Sequence, residues 1–464
     1  MQEMTPGDAD QLLWFAFAAL CAASVVLLAA CVREAASFLW TACLVPLFLL
    51  GRSYAAVGVA PVYLMDCLAA LALLAAARTW APRAFSEERL RGFRWVAVLL
   101  AVVTVPAVCR GIAADYPDPL KGVILGLYPV IGWLAATWLL TRAGEELVRL
   151  RWVLYVPTLG VLVHAVFHVP MTSAASGLYM AIAGAFGVTM RCLGRSRLLL
   201  VTLIGAALLT AAASKRGPLL AVLAAMAATA FALRTRGRRL GRWPVLSLSL
   251  VTLGLVAVVS FSASQQRLSD VPVVGGLATR LEASTQDPDS EAANNVELRF
   301  AMWQEALKEA GKEPLLGAGA GRPIDVVFER QPLNDLRSGP HNSFVGYVYY
   351  LGWPAGIALV FLVAATLRRT WRARHHPVAS AWFGATVGVC ITALTNVALE
   401  VTFIGLPSWL VLASAYARVG VPLEREASSG SPPTAAGHLV PAPGGSGART
   451  ERSLTTSPPV PNWS

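Results

Sequence analysis

Three short stretches of the chain carry residues whose types suit chemistry better than packing. The first is Ser214-Lys215-Arg216-Gly217-Pro218, a tight turn with two adjacent cations between apolar blocks. The second is Arg299, followed at helical spacing by Trp303. The third is His341-Asn342-Ser343, where a long polar stretch gives way to an apolar one. Arginine offers a planar, permanently charged fork of donors that grips phosphate oxygens in pairs. Histidine takes up and returns protons near neutral pH. Each has a plainer reading. Arg216 is equally a cation snorkelling to lipid headgroups, Arg299 a solvated cation or one stacked on Trp303, and His341 a structural residue at a helix start.

The elements that must position these groups follow from composition. Of 464 residues, 56% are hydrophobic and 14% charged, against about 25% charged in soluble domains. The apolar residues come in blocks that suit a hydrocarbon core about 30 Å thick. Lipid supplies no hydrogen-bond partners, so such blocks are expected to be α-helices. Candidate spans are 11–31, 37–50, 60–78, 94–112, 122–141, 151–169, 174–190, 197–213, 218–234, 244–262, 342–367, 380–399 and 401–418. The expected fold is all-α and polytopic, with about 12–13 transmembrane helices. The N-terminus is acidic, so the first block is expected to be a retained span rather than a cleaved signal.

Positive charge sets the orientation. Arginines crowd five loops: 78–94, 142–151, 191–197, 234–242 and 368–374. With the spans above, all five fall on one side, expected to be the cytoplasm. The Arg216 turn and the long 263–340 segment then lie on the opposite face, where paired cations run against the positive-inside rule. The net charge of +11 is thus a topology signal. No basic-aromatic surface stands outside the apolar blocks, and no nucleic-acid partner is expected. The seven cysteines lie in or beside apolar blocks, without disulfide or zinc spacing.

Four regions are expected: an N-terminal transmembrane bundle (1–262), an outer loop (263–341), C-terminal transmembrane helices (342–420) and a disordered cytoplasmic tail (421–464). Within the loop, Asn294-Asn295-Val296-Glu297 predicts a capping box with Asn294 as N-cap. Val296, Phe300, Trp303 and Leu307 then recur as one face of an amphipathic helix. Gly317, Gly319 and Gly321 follow in a turn that lacks the preceding strand and lysine of a nucleotide loop. The tail is too rich in Pro, Ser, Gly and Thr to bury a core.

The order of these pieces resembles the superfamily of O-antigen ligases and O-antigen or exopolysaccharide polymerases, bacterial membrane glycosyltransferases. The matching stretches are SKRGPLLAVLAA (214–225), ELRFAMWQEALKEAGKEPLLGAGAG (297–321) and HNSFVGYVYYLGWPAG (341–356). The resemblance implies a type C glycosyltransferase-like membrane fold with one large periplasmic loop, in the bacterial inner membrane. It implies an undecaprenyl-diphosphate-linked oligosaccharide as donor, and a saccharide hydroxyl as acceptor. By that likeness Arg216 and Arg299 neutralise the leaving diphosphate in place of a metal, and His341 takes the acceptor's proton. The reaction would be metal-independent and inverting, with no cofactor. Lys215, Asn342, Arg322 and Trp303 are expected to contact substrate. His164 and His168, four apart, suit one helix face. Without a third ligand in view they are read as a glycan contact or polar packing before a metal site. Arg52, Arg110 and Glu400 lie near the same face.

The acceptor stays open. A polymerase extends a carrier-linked repeat, whereas an O-antigen ligase transfers to lipid A–core. Nothing marks a lipid A–core or protein acceptor, which leans towards the polymerase. A transporter or flippase is the alternative class, favoured only by the intramembrane Asp66, because the other outlying charges gather at one surface.

Overall fold

The computed structural model describes residues 35–55, 57–59, 62–141, 151–167, 173–194, 197–213, 216–234, 291–324, 327–328, 331–332 and 339–418. The expected spans 11–31 and 244–262, Ser214, Lys215, His168 and the 421–464 tail lie outside these residues.

Leu-, Ala- and Val-rich blocks form helices close to the expected spans. They are α1 (Ala35–Leu50), α2 (Leu64–Ala84), α3 (Arg91–Ala113), α4 (Ile124–Thr141), α5 (Val156–Phe167), α6 (Ser173–Cys192), α7 (Arg197–Ala213) and α8 (Arg216–Arg234). After them come α9 (Glu291–Lys312), α10 (Ser343–Leu351), α11 (Trp353–Arg372), α12 (Pro377–Thr395) and α13 (Thr402–Arg418). Two antiparallel pairs of two-residue strands, Gly58–Val59 with Val62–Tyr63 and Val327–Phe328 with Gln331–Pro332, are the sheet found among the described residues. Three segments there are long and apolar enough to cross a membrane: Glu88–Ala113, Pro119–Leu140 and Pro377–Thr395. Six shorter apolar helices accompany them. The whole fits an all-α membrane protein.

Two expectations are corrected. The block 342–367 is not one helix: it breaks at Gly352, whose φ is +90°. A side chain there would strike the Leu315 carbonyl, 2.5 Å from a Cβ, and Pro354 then opens α11 with a preset φ. Asn294 is not an N-cap either. α9 already begins at Glu291, because Glu291-Ala292-Ala293 are good helix formers that carry the helix further back.

Small residues set the helix spacing, as is usual where lipid removes the hydrophobic drive to associate. On α12, Gly384 lies against Ala225 and Thr229 of α8, and Gly388 against Ala221 and Ala225 of α8 and Ala181 of α6. On α6, Gly177 meets Pro218 of α8. On α4, Gly132 lies on the backbone of Trp409 in α13. The α8–α12 register is antiparallel, so the start of α8 comes level with the end of α12.

Two of the arginine-rich loops, 78–94 and 368–374, meet at one end. There Arg369 of α11 donates to the carbonyl of Arg89 at 2.7 Å and to that of Tyr416 at 3.3 Å, with its guanidinium 4.1 Å from the Tyr416 ring centre. At the other end a glycine turn joins α9 to the bundle. Gly317, Gly319 and Gly321 have φ of +66°, +96° and +79°. The Ala318 N–H donates to the Tyr349 carbonyl at 2.6 Å, and the Ala320 N–H to the Ala107 carbonyl at 2.9 Å. Arg110 completes the clip, donating to the Gly317 carbonyl at 2.7 Å and pairing with Glu313 at 2.5 Å.

This clip should tolerate no side chain at its first glycine. A Cβ on Gly317 would lie 2.5 Å from the Gly352 nitrogen and 2.6 Å from the Tyr349 oxygen. Gly317→Ala is expected to lose at least about 1–3 kcal/mol from the positive φ alone. The measurement is the thermal unfolding midpoint of the detergent-purified chain, and an unchanged midpoint would contradict the packing described.

Candidate functional site

The site is built from α9 outward. Met302 and Ala306 of α9 are buried with Ala318, Ile324 and Tyr349, which seats the helix on the glycine turn and on α10. That seat leaves two polar side chains of α9 facing neighbouring helix ends. Arg299 Nη1 donates to the carbonyl of Thr395, the last residue of α12, at 2.9 Å. Burial pulls its pKa down from the ordinary arginine value. Trp303 Nε1 donates to the carbonyl of Pro340 at 2.5 Å. Its ring stands edge-on to Phe300, with centres 5.0 Å apart. The indole thus holds the residue immediately before His341.

His341 is itself conformationally unusual. Its φ is +53°, a left-handed backbone that side-chain-bearing residues rarely adopt. Its N–H donates to the Gly339 carbonyl at 2.7 Å. Asn342 is nearly buried and caps α10, its Oδ1 accepting from the N–H groups of Phe344 and Val345 at 3.0 and 3.3 Å. Ser343 Oγ donates to the Asn396 carbonyl at 3.3 Å and accepts the Leu399 N–H at 2.9 Å. Backbone strain of this kind persists only where the surroundings over-determine it, and it concentrates at functional sites.

Arg216 is the first residue of α8. The α8–α12 register carries that helix start to the level of Thr392–Thr395, the end at which Arg299 is bonded. His164 lies near the end of α5, on the side joined to the start of α6, where Gly177 meets Pro218. Backbone placement therefore gathers Arg216, Arg299, His341, Asn342, Trp303 and His164 at one end. Arg322 is engaged elsewhere, bonding Glu309 at 2.6 Å. Lys312 also bonds Glu309, and this bond first, with Arg322 adding, holds the Glu309 carboxyl below the usual range.

Trp303 and Asn342, expected as substrate contacts, have the polar groups described above engaged with backbone next to His341. Sequence reasoning did not foresee these bonds, because the partners are carbonyl and amide groups invisible to residue type. It also passed over the Arg110 clip. The nearest sequence signal was an arginine at the outer end of a span with an acidic residue just before the glycine turn.

Residues 198–360 match the O-antigen ligase family model. The match supports the O-antigen ligase and polymerase superfamily, whose members are membrane glycosyltransferase-type enzymes acting on lipid-linked oligosaccharide and an acceptor. The matched segment runs from α7 into α11 and holds Arg216, Arg299, Trp303, Arg322, His341 and Asn342. Among curated proteins, none matches the chain.

Capping and substrate contact by Asn342 can be told apart. Asn342→Ala should cost about 0.5–2 kcal/mol of stability, the usual worth of an N-cap, whereas Asn342→Ser should keep most of it. Comparing the two unfolding midpoints, with glycan transfer measured alongside, checks this. If Ser restores stability but not transfer, the amide contacts substrate as well.

Proposed function

We propose that the chain transfers glycan from an undecaprenyl-diphosphate-linked donor to a saccharide hydroxyl, working as a polysaccharide polymerase. What supports this reading lies at one end of the bundle: the register that brings the α8 start level with Thr395, the bond from Arg299 to the Thr395 carbonyl, and the hold of Trp303 on Pro340 beside the left-handed His341. That end faces the periplasm, the membrane is the bacterial inner membrane, and the architecture is type C glycosyltransferase-like.

In the reaction, the acceptor hydroxyl oxygen attacks the anomeric carbon. The bond from that carbon to the phosphate oxygen breaks, and the diphosphate leaves with the bonding electrons. His341 receives the hydroxyl proton. Attack opposite the leaving group inverts the anomeric centre. Arg216 and Arg299 neutralise the developing diphosphate charge, an effect strengthened where water is scarce. A guanidinium has five donors, so the bond to Thr395 orients Arg299 without consuming it. The arginines' charge makes a divalent ion unnecessary.

A second reading is favoured by the description of the matching family, O-antigen ligase. In it the acceptor is lipid A–core and the chemistry is unchanged. Deleting the protein and analysing carrier-linked and surface glycans together separates the two. Accumulated single repeats indicate the polymerase, and long carrier-linked polymer with bare lipid A–core indicates the ligase.

Arg216→Ala, Arg299→Ala and His341→Ala are each expected to lower transfer by about 10²–10³-fold or more, with protein abundance near normal. Wild-type glycan ladders from all three would remove the assignment. Transfer should survive thorough chelation. Impermeant thiol labelling of single cysteines placed at 216 and 341 should come from the same side of the membrane.

A further inference from the structure

One carboxyl at the site end plays no part in the chemistry above. Glu400 lies in the turn 396–401 between α12 and α13, beyond the segment that matches the family model. The residue keeps some surface, but its Oε1 is out of solvent and has no hydrogen-bond partner. Such a placement is costly, and a buried unsatisfied oxygen calls for an explanation.

The explanation is shape. Both oxygens rest on glycines that flank His341. A Cβ on Gly346, in the first turn of α10, would overlap Oε1 and stand 2.7 Å from Oε2. A Cβ on Gly339 would stand 3.1 Å from Oε2 and 2.8 Å from the Tyr350 hydroxyl. The carboxyl therefore fills the room left by two missing side chains, one before His341 and one after it. The turn that carries it is fastened to the same helix, through the Ser343 bonds to Asn396 and Leu399. Burial holds the Glu400 carboxyl well above the ordinary carboxylate range.

We propose that Glu400 is a positioning residue whose carboxyl, seated between Gly339 and Gly346, fixes the left-handed backbone that presents His341. The proposal rests on the reading of His341 as the proton acceptor. Glu400 acts through the 339–343 loop, so the size and shape of its side chain are what matter.

The test uses the full chain in detergent and in proteoliposomes, with folding checked by size-exclusion profile. Two readouts are taken: glycan transfer from a carrier-linked oligosaccharide, and the rate at which diethyl pyrocarbonate modifies His341, followed by peptide mass spectrometry. The second needs no activity. Glu400→Ala should lower kcat by about tenfold with the donor KM little changed, and should alter the His341 modification rate. Glu400→Gln, neutral and of the same shape, should restore both. Gly346→Ala should reproduce the loss by displacing the carboxyl. The double variant Gly346→Ala/Glu400→Ala should recover part of it, a non-additivity expected of groups in contact. An unaltered His341 modification rate in Glu400→Ala would overturn the proposal. So would Glu400→Gln failing as badly as Glu400→Ala, because the ionisable group itself would then be required. If wild-type protein transfers no glycan, the functional reading falls, and the modification rates still decide the role of Glu400.

Discussion

A helix ends with carbonyls that have no partner within it, and those carbonyls carry the negative end of the helix dipole. The Thr395 carbonyl at the end of α12 is one of these, and Arg299 bonds it at 2.9 Å. A cation is the favoured partner at such a place, and a charge-assisted bond there is stronger than a neutral one. Four residues on, Trp303 takes the Pro340 carbonyl. One face of α9 thus ties the end of α12 to the approach to α10, two pieces that the Ser343–Asn396 bond also joins. Together these bonds fix Arg299 in relation to His341.

Much of the helical frame was legible in the chain, for a simple reason. Apolar blocks bounded by arginines leave little choice where every backbone group must be satisfied internally, and the 197–213 block became α7 with those same limits. The break at Gly352 was not legible, because Leu351, Trp353 and Ile357 keep the run apolar on both sides of it. It comes from a carbonyl of another segment, Leu315, pressing on the glycine. The start of α9 was misread because two asparagines looked like a cap although the residues before them form helix readily.

At the site, residue types were legible and their partners were not. Arg299 and His341 stood out by type and placement. Asn342 stood out too, as a substrate contact, and that its Oδ1 caps α10 was not legible. Glu400 stood near the right face in sequence. Nothing in its neighbours announced that Gly339 and Gly346 had been left bare to receive its carboxyl. Complementarity between a side chain and an absent one has no signature along a single chain.

The shortness of α10 has a consequence of its own. Its nine residues rise about 13 Å, slightly under half of a hydrocarbon layer about 30 Å thick. The imidazole's height above the break at Gly352 is therefore a matter of counting. Four residues added to α10 would lift it by roughly one turn, about 6 Å, and four removed would sink it as far. The level at which His341 stands is in effect ruled off by the distance from one asparagine to one glycine.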